Sequence, residues 1–129
     1  MTVFRSLCSL LVLLCLTSCF DLFTRETSIY GPYYVASDPS ASYKSLFYRG
    51  KDGLDLDRFQ NVSKVGYKAG YVFIKSGGRF YWFAVQNDIP ADLGDPIVSQ
   101  LISKPLSEAE FHQLLVTLGI KNLDFQFQE

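Results

Sequence analysis

The side chains able to do chemistry are few and scattered. His112 is the sole histidine among 129 residues. On a helical wheel it sits beside an apolar face, the place of a surface-flanking residue. A Ser-His-Asp triad can assemble from residues distant in sequence, yet no nucleophile elbow of the form G-x-S-x-G occurs. Asp52, Asp55 and Asp57 alternate in D-G-L-D-L-D. Carboxylates at such positions can bind Ca²⁺, but the EF-hand spacing and its bidentate Glu are missing. That run reads as a solvated acidic loop, and Asp88, Asp92 and Asp95 read the same way. Gly66 and Gly70 do not form a phosphate loop, because no Lys-Ser/Thr pair directly follows Gly70 and no helix opens there. No catalytic residue, metal site or cofactor is assigned. The remaining reactive groups are three thiols, Cys8, Cys15 and Cys19, all near the N-terminus.

The context of those thiols is informative. Arg5 is the only charge before Asp21, and Leu7 to Leu16 is an apolar run interrupted only by Ser9. The fifteen residues between Arg5 and Asp21 span roughly 22 Å as a helix. A hydrocarbon core is about 30 Å thick, so the run suits a signal h-region better than a permanent span. It ends in Leu16-Thr17-Ser18-Cys19, which resembles the lipobox of bacterial lipoproteins. That resemblance implies transfer of a diacylglycerol to the Cys19 thiol and cleavage between Ser18 and Cys19, with the small Ser18 beside the scissile bond. Cys8 follows Leu7 and Cys15 follows Leu14, both too bulky for that position. Residues 1–18 are therefore expected to leave as a lipoprotein signal peptide. Cys19 would then be the only cysteine of the mature chain. It could form no intramolecular disulfide and would leave no thiol to share a metal with His112. The Asn61-Val62-Ser63 sequon is uninformative behind a bacterial signal.

By resemblance to enteric lipoproteins, an Asp directly after the lipidated cysteine retains a protein at the inner membrane. Phe20 stands there, and Asp21 follows one place later. The expected location is thus the cell envelope, anchored by lipid, at the outer membrane where a host has two. Two or three acyl chains hold a protein stably, whereas one gives only reversible binding.

Bulk composition limits the rest. Removing eighteen residues from 129 leaves 111, enough for one domain with its own core and too few for two. Eleven of twelve basic residues follow residue 18, and they are interspersed with thirteen acids. With no basic stripe, nucleic acid is not an expected partner. The 16% aromatic content suits a half-buried sheet.

Residues 19–28 read as the lipidated cysteine and a tether, and 29–129 as a single globular domain. Ile29 to Ser37 reads as a strand that Pro32 restricts to an edge or bulge. Tyr43 to Arg49 and Val62 to Tyr67 are further strands, and 54–59 is an ordered piece of unassigned type. The clearest signal is Tyr71–Ser76 and Arg79–Val85 around Gly77-Gly78, since two glycines permit a type I′ hairpin turn. That register sets Phe73 opposite Trp82 and Ile74 opposite Tyr81. Both hairpin faces are apolar, so both are buried or one is a binding surface carrying Tyr71, Phe73 and Trp82. Residues 97–102 fit a helix or a strand. Ser107 and Glu110 form a capping box, with Leu106 stapled on Phe111. Phe111, Leu114, Leu115 and Leu118 share one helical face, and Gly119 fits the position after the cap. Leu123 to Phe127 alternates as a closing strand.

V-x-x-V-G-Y (62–67), the aromatic hairpin, P-L-S-x-x-x-F (105–111) and L-G-I-x-x-L-x-F (118–125) together resemble a family of small bacterial lipoproteins, a domain of unknown function. The resemblance spans roughly 60–127 and carries over no catalytic residue. The expected fold is α+β: one antiparallel sheet of about five or six strands with a C-terminal-half helix on one face. Two functions are in play. One is a non-catalytic envelope module binding a protein or a wall polymer. The other is an envelope hydrolase whose site assembles from distant residues.

Overall fold

Gly77 and Gly78 adopt φ 57° and 76°, the left-handed pair that a two-residue type I′ turn demands. Strands β6 (Tyr71–Ser76) and β7 (Arg79–Ala84) follow from that turn. Phe73 pairs with Trp82 and Ile74 with Tyr81, the register expected from the glycines. The computed structural model describes residues 25–129. Cys19, Ser18 and the whole apolar segment lie outside the described residues.

The hairpin belongs to one of two antiparallel four-stranded sheets. The first is a meander of β1 (Thr27–Tyr30), β2 (Tyr33–Ser37), β3 (Lys44–Arg49) and β4 (Asp55–Phe59). The second has the order β7-β6-β5-β8, with β5 at Lys64–Lys68 and β8 at Phe127–Gln128. Among the described residues two α-helices, α1 (Pro96–Ser99) and α2 (Glu108–Thr117), and a 3-10 turn at Val85–Asn87 complete the fold. The coarse α+β class therefore holds, but the expectation of one sheet does not.

The reason lies in three local readings. Gly31 takes φ 52° and Tyr30 pairs with Tyr33, so Gly31-Pro32 reverses the chain and makes two strands of the expected 29–37 strand. Thr27 pairs with Val35, so the ordered sheet begins inside the segment read as tether. Residues 55–59, unassigned from sequence, complete the first sheet.

The inner faces of the sheets share one core. Tyr33, Val35 and Leu46 of the first meet Val65, Val72, Ile74 and Phe83 of the second. The other hairpin face lies under α2, where Phe73 and Phe80 are buried with Phe111 and Ile120. Phe80 and Phe111 stack at 4.2 Å between ring centres. Leu114, Leu115 and Leu118 pack on the same cluster. The molecule thus has three layers: sheet, sheet, helix.

Local chemistry delivers α2 to that face. Leu106 and Phe80 exchange backbone hydrogen bonds of 2.8 and 3.0 Å, closing the free edge of β7 beside the turn. Ser107 Oγ accepts from the Glu110 amide and the Glu110 carboxylate accepts from the Ser107 amide. Gly119, at φ 71°, ends the helix. Its amide donates to Val116 and that of Ile120 to Leu115, a Schellman motif.

The C-terminal segment departs from the simple alternation read in it. Only Phe127 and Gln128 pair with β5. Asp124 instead passes so close to Gly66 that a Cβ there would lie 2.8 Å from its carbonyl oxygen. Gly66 is a crossing point, and any side chain would lift the segment away. Of residues 97–102, Ile97 to Ser99 lie in the short helix α1, capped by Asp95 accepting from the Ile97 amide at 2.9 Å, and the other three form a turn and bend.

Phe73 is wholly buried and Trp82 only partly so. Phe73→Ala is expected to cost about 3–5 kcal/mol and Trp82→Ala distinctly less, as read by urea denaturation. Equal costs would show that the helix covers the hairpin more evenly than this packing implies.

Candidate binding site

Strand β4 carries a bulge. Leu46 pairs with Phe59 and Phe47 with Asp57, so Arg58 is the extra residue between them. A bulge re-aims its side chain, and Arg58 is turned inward, with its side chain wholly buried. Its Nε donates to Asp88 Oδ2 at 2.8 Å. Its two terminal nitrogens donate to the carbonyls of Asp57 and Ile89, each at 2.9 Å. Tyr33 Oη donates to the same Asp88 oxygen at 2.6 Å. Burial, then the hydrogen bond to Asp88, push the Tyr33 hydroxyl far above its ordinary range. Every strong group in this network is paired within it. It is a clamp joining the first sheet to the chain leaving β7, and it is closed to solvent.

The outer face of the first sheet carries a second constellation. Tyr34, Ala36 and Phe47 form a small cluster. Arg49 lies 4.3 Å over the Tyr34 ring and contacts both carboxylate oxygens of Glu26 at 2.7 Å. Tyr34 Oη donates to Asp55, and burial followed by that bond raises the hydroxyl well above its usual range. A cleft of about 380 Å³ lies here, with Asp38, Asp57 and Gln60 also on its wall. The Ser40 hydroxyl and amide hold Asp38 below the ordinary carboxylate range.

A third site sits where the sheets meet edge to edge. Edge strand β1 touches β5 and β8. Tyr30 at its end stacks on Tyr67 of β5, with ring centres 3.7 Å apart and planes within 5°. The stack borders a cleft of about 300 Å³ closed by Tyr71, the Ala69-Gly70 turn and Gln86. Ala69 takes φ 53° there, a left-handed conformation uncommon for alanine. The neighbouring Tyr30 hydroxyl, then burial, raise the Tyr67 hydroxyl above its usual range.

The residues singled out from sequence are dispersed. Tyr71 borders the tyrosine cleft, whereas Phe73 has no exposed surface and Trp82 lies half-buried in the cluster under α2. The hairpin face carrying Phe73 and Trp82 is thus covered by the helix. His112 is exposed on α2, with Nε2 3.8 Å from Glu108 of the same helix. Among the described residues no three His, Cys, Asp or Glu side chains are grouped to hold a metal.

The solvated-loop reading of the acidic runs holds for Asp52 and Asp92, exposed in a turn and a loop, but not for the others. Asp55 and Asp57 lie in β4, opposite Arg49 and Phe47. Asp88 is buried in the clamp, Asp92 accepts from the Gly94 amide and Asp95 caps α1.

Arg58, Tyr30 and Tyr67 escaped the sequence reading. For Arg58 a signal existed. Leu54 and Leu56 set an alternation that Phe59 breaks by one residue, which is the mark of a bulge. Tyr30 and Tyr67 lie far apart in the chain and meet only through sheet packing.

Arg58→Ala would strand the Asp88 carboxylate away from water, and is expected to cost about 3–5 kcal/mol. An Arg58→Met, Asp88→Leu, Tyr33→Phe triple variant should recover most of that loss, because it leaves neither an orphaned charge nor an orphaned hydroxyl. A triple variant as unstable as Arg58→Ala would show that the polar network itself holds the sheets together.

The chain matches no protein-family model, no curated protein and no solved structure.

Proposed function

We propose that this chain is exported, lipidated on Cys19 and held at an envelope membrane, where the mature domain serves as a non-catalytic binding module for an envelope protein or wall polymer. The carrying observation is Leu16-Thr17-Ser18-Cys19 at the end of a short apolar run, beside two cysteines whose neighbours do not fit the same pattern. Among the described residues no helix is long and apolar enough to cross a membrane. On the lipobox reading the lipid on Cys19 supplies the attachment. Strand β1 starts eight positions after Cys19, so a fully extended connection keeps it within about 29 Å of the lipid.

The binding role is supported by how the polar groups are used. Arg58, Asp88 and Tyr33 satisfy one another out of reach of any substrate. The clefts open to solvent are walled by aromatic rings, carboxylates and amides, a chemistry suited to holding a ligand. Phe20 after the lipidated position favours the outer membrane in a two-membrane host.

Cys19→Ser is the deciding variant. In cells fed labelled fatty acid, the wild-type chain should carry label and the variant should accumulate as unlabelled precursor. Label on the variant would overturn the anchor assignment. Fractionation of the wild-type chain should recover it with the outer membrane, and recovery with the inner membrane alone would overturn the sorting.

A further inference from the structure

We propose that the tyrosine cleft at the seam of the two sheets binds a neutral sugar ring of an envelope glycan. The proposal deepens the binding-module reading and rests on it for the source of the ligand. Three observations carry it: the kind of surface, the absence of charge and the arrangement of the rings.

The surface comes first. Tyr30 is 45% exposed although its ring is large and mostly apolar. Its ring stacks on Tyr67, which itself packs against the core between the sheets, so the exposed ring surface of the pair is chiefly that of Tyr30. A pyranose presents a patch of C–H groups that carry slight positive charge. The negative face of an aromatic ring complements such a patch. Sugar hydroxyls both donate and accept, and so do tyrosine hydroxyls and the Gln86 amide. The volume of about 300 Å³ is at the small end of ligand clefts, as a single ring needs.

Charge decides the ligand class. Among the described residues none bordering this cleft carries a formal charge, unlike the carboxylate-lined cleft on the first sheet. An anionic ligand would find no guanidinium or ammonium group, and a metal or amine no carboxylate. A quaternary ammonium ion needs several ring faces converging on one point. Here two of the three rings are spent facing each other at 3.7 Å. What remains is a planar, amphipathic, uncharged wall. Ala69 stands at its lip with φ 53°, the left-handed value that the two-residue turn between β5 and β6 requires.

Trp82 is the only tryptophan, and its ring centre lies 5.7 Å from that of Tyr71. Its fluorescence therefore reports on the cleft. The full lipidated chain, held in micelles of a detergent without a sugar headgroup, would be titrated with three probes. These are the β-1,4-linked tetramer of N-acetylglucosamine, cellotetraose and choline. A saturable change in Trp82 emission is expected with at least one sugar and none with choline. Preference for the acetylated tetramer would mark a wall-type glycan, and preference for cellotetraose a plain envelope polysaccharide. Tyr30→Ala and Gln86→Ala should each weaken binding about tenfold, the loss of one stacking or polar contact. Gln86 is exposed, so its variant still tests the site if Tyr30→Ala fails to fold. Silence with both sugars, a response to choline alone, or unchanged affinity in the folded variants would overturn the proposal. Lipid labelling is a separate assay, so sugar binding without Cys19 lipidation would remove only the envelope source.

Discussion

The β6–β7 hairpin is apolar on both faces, and that constraint organises the molecule. A sheet with two hydrophobic faces cannot rest with either in water. One face calls for a second sheet and the other for a helix. Val72, Ile74 and Phe83 meet the first need against Tyr33, Val35 and Leu46. Phe73 and Phe80 meet the second against Phe111 and Ile120. The Gly77-Gly78 turn matters because register determines which residues go to which partner. A slip of one residue would exchange the two sets and leave both layers facing side chains of the wrong shape.

Layering alone would let the sheets slide, and the clamp opposes that motion. Arg58 and Tyr33 come from the first sheet, and Asp88 from the chain just after the hairpin. Their hydrogen bonds are directional where the apolar contacts are not. The same burial that makes the network costly to break also removes it from chemistry. A guanidinium, a carboxylate and a phenol in contact would otherwise suggest an active site. Here each is desolvated and occupied.

The seam beside β1 follows from the same layering. The second sheet ends its pairing with only two residues of β8, and edge strand β1 lies beside β5 and β8. Tyrosines at such a seam can keep rings against the core and hydroxyls toward water. Tyr67 takes that place, Tyr30 stacks on it with its ring part-exposed, and Tyr71 borders the opening. The distinctive surface chemistry of this domain thus lies at a junction between elements.

What the sequence determined by itself was local. The hairpin register was legible because two adjacent glycines permit the one turn whose twist suits a tight hairpin. The limits of α2 were legible because Ser107, Glu110 and Gly119 satisfy backbone groups within a few residues. The lipobox resemblance needs only four adjacent side chains. The division into two sheets was not legible, because it turns on Gly31-Pro32 reversing the chain, where the same residues also suit a bulged edge strand. Nor were the clamp and the tyrosine seam. Tyr30 and Tyr67 meet across two sheets, and Arg58 finds Asp88 thirty positions along the chain. Turns, caps and processing signals depend on neighbours in sequence, so composition and spacing encode them. Burial of a charge and convergence of rings depend on which faces meet, and only the packing of the layers decides that.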